Sequence, residues 1–139
     1  MMLLFLAVWV VDSFLFNRTT FLAPSVPLPV RTLLGACLFG AGGYMGWSAH
    51  EMLFGEKGDP KRLMDSGVFG LCRHPLYLGV LASFLGLSVS TLSLASMAVL
   101  AVFILVYDRF ASYEERLLLE AFGEEYREYQ RRVPKWLLG

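Results

Sequence analysis

Cysteine, histidine and charge are all scarce in this sequence of 139 residues, and each shortage excludes a class of protein. Two cysteines, Cys37 and Cys72, are too few for a disulfide framework. The two histidines, His50 and His74, form no cluster in the sequence, so we expect no metal site. The formal net charge is zero, which argues against nucleic acid as a partner, because phosphate backbones are bound by an excess of positive charge.

Apolar residues are abundant instead. They make up 56% of the chain, while 17% of residues are charged, compared with roughly 25% in soluble domains. The mean hydropathy is +0.55. We therefore expect an all-α integral membrane protein with a single domain over residues 1–139.

Four apolar stretches predict about four transmembrane helices, at residues 1–16, 30–54, 76–89 and 92–107. A span needs roughly 20 apolar residues; the second stretch passes this test easily, whereas the first, third and fourth are short or borderline. One helix over the last two stretches would be roughly 48 Å long, more than the hydrocarbon core of about 30 Å. The polar run at residues 88–93 therefore predicts a tight helical hairpin. Residues 1–16 lack the basic start and cleavage site of a signal peptide, so we interpret them as a span.

Lysine and arginine are distributed unevenly along this pattern. Ten of the twelve lie in the connector 55–74 or in the tail 108–139, whereas Arg18 and Arg31 lie near the other side. The positive-inside rule then places both termini and the polar motifs in the cytoplasm. The basic residues of the connector are Lys57, Lys61, Arg62 and Arg73.

Glycines crowd the second stretch, where small residues let helices approach closely. They are Gly35, Gly40, Gly42, Gly43 and Gly46. We expect this stretch to pack tightly against a neighbouring helix.

The tail 108–139 is more polar than the stretches before it. Its pattern predicts a helix continuing from the fourth stretch, a break at Gly123 and a second short helix that ends at Pro134. Its apolar positions recur at helical spacing: Leu118, Phe122, Tyr126 and Tyr129. Alone, this pattern is typical of an amphipathic helix on the bilayer, with its tyrosines and Trp136 at the headgroups.

Two groups of ionisable residues flank the apolar hairpin, where such groups are costly unless they are paired or bind a ligand. The first is Arg73-His74-Pro75-Leu76-Tyr77-Leu78-Gly79. The second, about forty residues later, is Glu114-Glu115, followed by Phe122-Gly123-Glu124-Glu125-Tyr126-Arg127-Glu128-Tyr129. Both groups lie on the same predicted side, which indicates a polar small-molecule site at a membrane face.

With Gly67-Val68-Phe69 before them and Val133-Pro134 after them, these motifs closely resemble isoprenylcysteine carboxyl methyltransferases over residues 67–134. Phospholipid N-methyltransferases share a looser version of this half. The resemblance implies a membrane enzyme that uses S-adenosylmethionine, with the tail folded back as a lid. It implies that the cofactor is held by Arg73, His74, Pro75, Tyr77, Gly79, Glu114, Glu115, Tyr126 and Tyr129.

The expected substrate is a lipophilic small molecule or a lipid-anchored group at the cytosolic face of the membrane. A carboxylate, with a pKa near roughly 3.5, is already the nucleophile at neutral pH and needs no base, only a cation to orient it. Arg109 is the candidate for that cation, although an Arg at this position could equally be a snorkelling interfacial residue. An amine or thiol acceptor would need a base, and Glu115 or His74 could serve.

Alternatives to carboxylate O-methylation stay open at this point. Within the same superfamily they are N-methylation of a phospholipid or amine and S-methylation of a thiol. Outside it, the chain could be a non-enzymatic four-helix membrane protein or a small transporter, which would be marked by an acidic residue deep in a span. Asp12 is the one such carboxylate, and the sequence shows no obvious partner for it.

Overall fold

The computed structural model describes residues 1–55 and 63–137, and the regular structure of these residues is helical. Five α-helices follow one another: α1 Met2–Val10, α2 Leu28–Phe54, α3 Pro75–Thr91, α4 Leu94–Phe122 and α5 Glu124–Arg132. A π-helical turn, Val11–Phe16, extends α1, and short 3₁₀ turns occupy Ala23–Ser25 and Gly67–Gly70. Lys57, Lys61 and Arg62, used above for the topology, lie outside the described residues.

The helix boundaries agree with the four apolar stretches. The hairpin between α3 and α4 is as tight as expected, because Leu92 adopts a left-handed conformation (φ 51°) and Ser93 caps α4 by accepting a hydrogen bond from Ser96 N. The α4 helix continues past the apolar segment 94–107 into a polar second half, 108–122. Gly123, with φ 57°, separates it from α5. The Gly123 break predicted from the sequence is confirmed, and α5 ends at Arg132, two residues before Pro134.

The helices of the described part differ in whether their length and hydropathy would allow them to span a membrane. Only α4 is both long and apolar enough to cross a bilayer; α1 with its extension and α3 are shorter apolar helices. The α2 helix has the predicted length, 27 residues, but it does not meet the hydropathy criterion. The expectation that the second stretch passes easily therefore holds for length alone, because its glycines contribute little apolar surface.

Backbone contact between α2 and α3 explains those glycines. Gly35 faces Gly86 and Gly42 faces Gly79, and each pair is so close that an added Cβ would lie 2.5–2.6 Å from the partner's carbonyl oxygen. Gly40 and Gly43 face open space. Only part of the glycine-rich stretch therefore serves the close packing that the sequence predicts.

A second layer of packing joins α1 and α4 to α3 through buried side chains. The cluster consists of Phe5, Leu81, Phe84, Leu100 and Phe103. The rings of Phe5 and Phe84 stack with centroids 4.2 Å apart. This apolar packing holds the start of α3 beside the polar half of α4.

Asp12 has partners that the sequence did not reveal. Its carboxylate accepts hydrogen bonds from Ser93 Oγ at 2.7 Å, Thr19 Oγ1 at 2.6 Å and Thr19 N at 3.0 Å. Asn17, in the left-handed conformation, reverses the chain after the π-helical turn and returns Thr19 to the carboxylate. Asp12 thus ties the first loop to the α3–α4 hairpin, which removes the observation that favoured a transporter.

Candidate functional site

The Arg73-His74-Pro75 motif lies at the entrance to α3. Pro75 occupies the first helical position, where its missing N–H costs no hydrogen bond, and Cys72 before the motif is fully buried. Arg73 N donates to Pro134 O at 3.0 Å, and Arg73 Nη1 donates to the carbonyls of Gln130 and Val133 at 3.1 and 3.2 Å. The motif and the end of the tail are therefore fastened to each other directly.

Glu115, on the polar half of α4, completes an ion-pair cluster with this motif. Its Oε1 accepts from Arg73 Nε at 2.9 Å and lies 3.1 Å from His74 Nε2. Gln130 Nε2 approaches its Oε2 at 3.5 Å. The side chains of Arg73 and Glu115 are 12% and 15% exposed, so this pair is shielded far more than a surface salt bridge.

His74 is buried between two carboxylates and two aromatic rings. Only 5% of it is exposed, and its Nδ1 lies 3.7 Å from Glu114 Oε2 while its Nε2 faces Glu115. Tyr77 stacks on the imidazole with an interplanar angle of 7° and a centroid distance of 5.8 Å, and Trp136 lies at 5.7 Å. The ring is thus fixed in position and can donate to an acid on either side.

The ionisation of the cluster follows from these contacts. Burial lowers the pKa of His74, but the bonds and charges of Glu114 and Glu115 outweigh it and raise the pKa above 6.5. Burial raises the pKa of Glu115, yet the bond from His74 and the charge of Arg73 bring it below its ordinary value. The contact with His74 lowers the pKa of Glu114 against the opposing effect of burial. The cluster therefore favours an imidazolium between two carboxylates.

The α5 helix closes one side of the cluster with two tyrosines. Tyr126 is fully buried and Tyr129 is 2% exposed, with its hydroxyl donating to Phe69 O at 2.7 Å. Burial raises the pKa of both phenols, so they are neutral donors at physiological pH. These tyrosines face the protein, which contradicts the picture of a helix that places them among lipid headgroups.

Hydrogen bonds join the end of the tail to α4 at positions that precede the two glutamates. Lys135 Nζ lies 2.6 Å from Asp108 Oδ1 and 2.8 Å from Ser112 Oγ, and Trp136 Nε1 donates to Asp108 Oδ1 at 3.1 Å. Trp136 therefore contacts both the site, through His74, and the polar half of α4. These contacts hold the end of the tail beside His74.

A cavity of about 170 Å³ opens beside the cluster. Its polar lining is Arg73, His74, Glu114, Tyr126 and Tyr129, and its apolar lining includes Leu53, Phe69, Leu118 and Phe122. A smaller pocket of about 50 Å³ adjoins it and is also lined by Arg73, His74 and Glu114. Pro75 and Tyr77 line the smaller pocket but not the larger one. The buried hydroxyl of Tyr126 has no hydrogen-bond partner within residues 1–55 and 63–137. Such a group is costly unless a water or a polar ligand binds it.

Seven of the residues expected to form the site line these two pockets: Arg73, His74, Pro75, Tyr77, Glu114, Tyr126 and Tyr129. Glu115 does not line them and instead positions Arg73 and His74. Gly79 faces the α2 backbone. Arg109 is exposed, and within the described residues no hydrogen bond or salt bridge joins it to the cluster.

Three groups near the site were missed by sequence reasoning: Gln130, the Asp108–Lys135 pair and the site-facing role of Trp136. Gln130 lies four residues after Tyr126 and three residues before Val133. This helical spacing could have placed Gln130 on the same inward face as the apolar stripe. Asp108 and Lys135 are 27 residues apart, and no local pattern pairs them.

Comparison with known proteins gives a consistent result. A family model described as phospholipid methyltransferase (PEMT) matches residues 30–125, which include the first motif, both glutamates and the α2–α3 packing. No solved structure matches the chain.

Three curated relatives illustrate the range of similar proteins. A cobalt-zinc-cadmium resistance protein, CzcN, from Cupriavidus metallidurans is 49% identical over 52% of this chain and 33% of its own length. Protein-S-isoprenylcysteine O-methyltransferase from Mus musculus is 34% identical over 78% of this chain and 39% of its own. Methanethiol S-methyltransferase 1 from Bradyrhizobium diazoefficiens is 37% identical over 58% and 28%. The matches thus span about a third of the length of these relatives.

Proposed function

Because the chain belongs to the phospholipid methyltransferase family, we propose that it is a membrane-embedded methyltransferase that uses S-adenosylmethionine and methylates a lipophilic acceptor at the cytosolic face. The observation that carries the proposal is the cavity in which Arg73, His74 and Glu114 surround the unsatisfied hydroxyl of Tyr126. Both motifs and the tail contribute to this one cavity.

The lining fits the chemistry of the methyl donor. Its amino-acid head needs a donor for the carboxylate and an acceptor for the ammonium, and its ribose needs a neutral polar partner. Arg73 can supply the donor, because Nη2 has no bond within the described residues, and Glu114 can accept from the ammonium. Tyr126 would bind a hydroxyl. The enclosed volume is below the roughly 300 to 1,000 Å³ of small-molecule sites, so we expect the nucleoside to extend beyond it.

Glu114 and Glu115 then have different roles. Glu115 is engaged on both oxygens and keeps Arg73 and His74 in place, while Glu114, 48% exposed, faces the cavity. We propose Glu114 as the ligand of the cofactor ammonium and Glu115 as a positioning residue.

Methylation of a carboxylate suits this set of residues best. When bound, S-adenosylmethionine would supply the methyl group: the acceptor would form a bond to the methyl carbon as the C–S bond breaks, and the electron pair would remain on sulfur. A carboxylate acceptor loses no proton, so the chain needs to supply orientation and a dry site, not a base. The two carboxylates raise the pKa of His74, which favours its protonated form and makes it less available to accept a proton. Arg109 stays a prediction for the cation that orients the acceptor.

A lipophilic acceptor is supported by an apolar groove of about 320 Å³ between α1, α2 and α3. The groove reaches Gly79, two residues along α3 from Tyr77 in the smaller pocket. The names of two relatives, protein-S-isoprenylcysteine O-methyltransferase and methanethiol S-methyltransferase, make a prenylated carboxylate the first substrate to test and a thiol the second.

Cofactor binding and methyl transfer are measured separately to test the proposal. Purified protein in detergent should bind S-adenosylmethionine with at least micromolar affinity in calorimetry. Glu114→Gln should weaken binding by roughly 1.5 to 3 kcal/mol, the value of a charged hydrogen bond. Glu125→Gln, an exposed carboxylate outside the cavity lining, is the matched control. Absence of binding to the donor and its demethylated product would contradict the methyltransferase.

Acceptor chemistry is tested next with labelled methyl donor and three acceptors: a prenylated cysteine carboxylate, a lipid amine and a short thiol. We expect label in a base-labile ester. Label in the amine or thiol alone would retain the methyltransferase and reject carboxylate methylation. Arg109→Lys should lower turnover with cofactor affinity unchanged, since Lys lacks the planar fork that grips a carboxylate.

A further inference from the structure

A second, larger cavity lies at the opposite end of the helices from the ion-pair cluster. Its volume is about 440 Å³, within the range of small-molecule sites. It is enclosed by the end of α1, the first loop, the start of α2 and the end of α3. None of the residues that hold the first site contributes to it, so the methyltransferase proposal leaves it unexplained.

Among the residues that the structure describes, Arg31 is the only charged one that lines this cavity. Its Nε is buried, and within the same residues it has no hydrogen-bond partner and Arg31 forms no salt bridge. Asp12, the nearby carboxylate in the sequence, is engaged with Ser93 and Thr19. A buried guanidinium nitrogen without a partner is costly. The planar guanidinium group presents N–H donors whose geometry matches the oxygens of a phosphate.

The rest of the lining combines fixed apolar walls with polar groups. The Trp9 indole is held by hydrogen bonds to Leu87 O at 2.9 Å and Thr91 Oγ1 at 3.1 Å, so its ring forms a rigid wall. Phe14 and Leu28 add apolar surface, and Asn17 and Thr20 add polar side chains at the loop. One cation beside neutral donors and apolar walls suits an anion that carries a hydrocarbon part.

We propose that this cavity binds a phosphate group through Arg31, with the headgroup of an anionic phospholipid as the ligand that the apolar walls fit best. The position of Arg31 along α2 agrees with a ligand at the level of the lipid headgroups. Arg31 and Leu53, which lines the first cavity, are both on α2, and the 22 residues between them correspond to roughly 33 Å of helix. That length is close to the hydrocarbon thickness of about 30 Å, so a membrane-spanning α2 would place Arg31 at the headgroup level of the face opposite the first site.

Native mass spectrometry of the purified full chain in detergent tests the proposal. The probes are phosphatidylglycerol, zwitterionic phosphatidylcholine and, by calorimetry, inorganic phosphate. We expect one phosphatidylglycerol to bind in preference to phosphatidylcholine, and Arg31→Gln to weaken that binding by about tenfold or more, as loss of a charged hydrogen bond predicts. Arg18→Gln removes the same charge from the same end but lies outside the lining, so its affinity should match the wild type.

Ala23→Trp fills the cavity without changing the charge. It tests whether the lipid binds in this cavity even if Arg31→Gln does not fold. This variant should lose phosphatidylglycerol as well. Binding of inorganic phosphate alone, dependent on Arg31, would support the phosphate site and identify the free anion as its ligand. Equal lipid binding by wild type and Arg31→Gln, retained binding by Ala23→Trp, or an equal loss in Arg18→Gln would overturn the proposal.

Discussion

Two adjacent glutamates occupy different environments because neighbouring positions of a helix point in different directions. Glu115 is directed at Arg73 and His74, whereas Glu114 is directed at the cavity and is 48% exposed. Neighbouring helix positions point about 100° apart, so the sequence pair could not face one environment. This difference supports the separate roles proposed for the two residues.

Glu115→Gln is expected to destabilise the fold, because it removes the charge that holds the largely buried Arg73. We expect a loss of roughly 1.5 to 3 kcal/mol in the free energy of unfolding, measured by denaturant titration in detergent. Glu120→Gln, on the exposed face of the same helix, should change it by no more than about 0.5 kcal/mol. Equal stability of the two variants would show that the cluster contributes little.

The pH dependence of stability follows from the same residues. The folded pKa of His74 lies above its ordinary 6.5, so its contribution is complete below that pH and is lost as pH rises through the folded pKa. The folded pKa values of Glu114 and Glu115 lie below 4.5, so their contribution is complete above that pH and is lost on acidification. The cluster should stabilise the fold most between about pH 4.5 and 6.5.

Thermal unfolding across pH measures this effect in wild type, His74→Gln and His50→Gln. The decline on the alkaline side of pH 6.5 should disappear in His74→Gln and persist in His50→Gln, because His50 is exposed. Persistence of that decline in His74→Gln would assign it to another group.

At the scale of elements, the α2–α3 contact depends on two glycine pairs spaced seven residues apart on each helix. Gly42→Ala would put a Cβ 2.5 Å from the carbonyl oxygen of Gly79, a backbone atom that cannot move without separating the helices. We expect destabilisation of about 1 to 3 kcal/mol, as for other overpacked interiors. Gly43→Ala, one position away in open space, should be neutral or stabilise the helix by up to about 1 kcal/mol.

Unfolding free energies of this pair of variants separate packing from helix propensity, since both exchange the same residue types in one helix. If Gly42→Ala were as stable as Gly43→Ala, the close approach of the two helices would not exist in the folded protein.

At the scale of the whole molecule, the orientation in the membrane can be tested with single cysteines. Ser25 and Ser66 are both exposed and lie at opposite ends of α2. In a background without Cys37 and Cys72, an impermeant maleimide added to intact cells should label Ser25→Cys and spare Ser66→Cys, as the distribution of basic residues predicts. Labelling of Ser66→Cys should require permeabilised cells. The reverse pattern would place the proposed methyl-donor site outside the cytoplasm.

By itself the sequence determined the parts of this protein that depend on local periodicity. The helix boundaries, the hairpin at residues 88–93 and the break at Gly123 follow from apolar runs and from residues that favour turns, and these act within a few positions. The ordered motifs were also sufficient to identify the family. They could not assign Glu114 and Glu115 separately, because adjacent identical residues carry the same local signal.

Only the tertiary structure decided the contacts between distant residues. Asp12 with Ser93, Gln130 with Glu115 and Lys135 with Asp108 are joined because helix packing brings them together, and no pattern in one segment contains that information. The same holds for Gly42 and Gly43, of which only the first meets a neighbouring backbone. Burial likewise turned Tyr126 and Tyr129 from apparent lipid-facing residues into the wall of the cavity, because the direction of an amphipathic face depends on the element against which it packs.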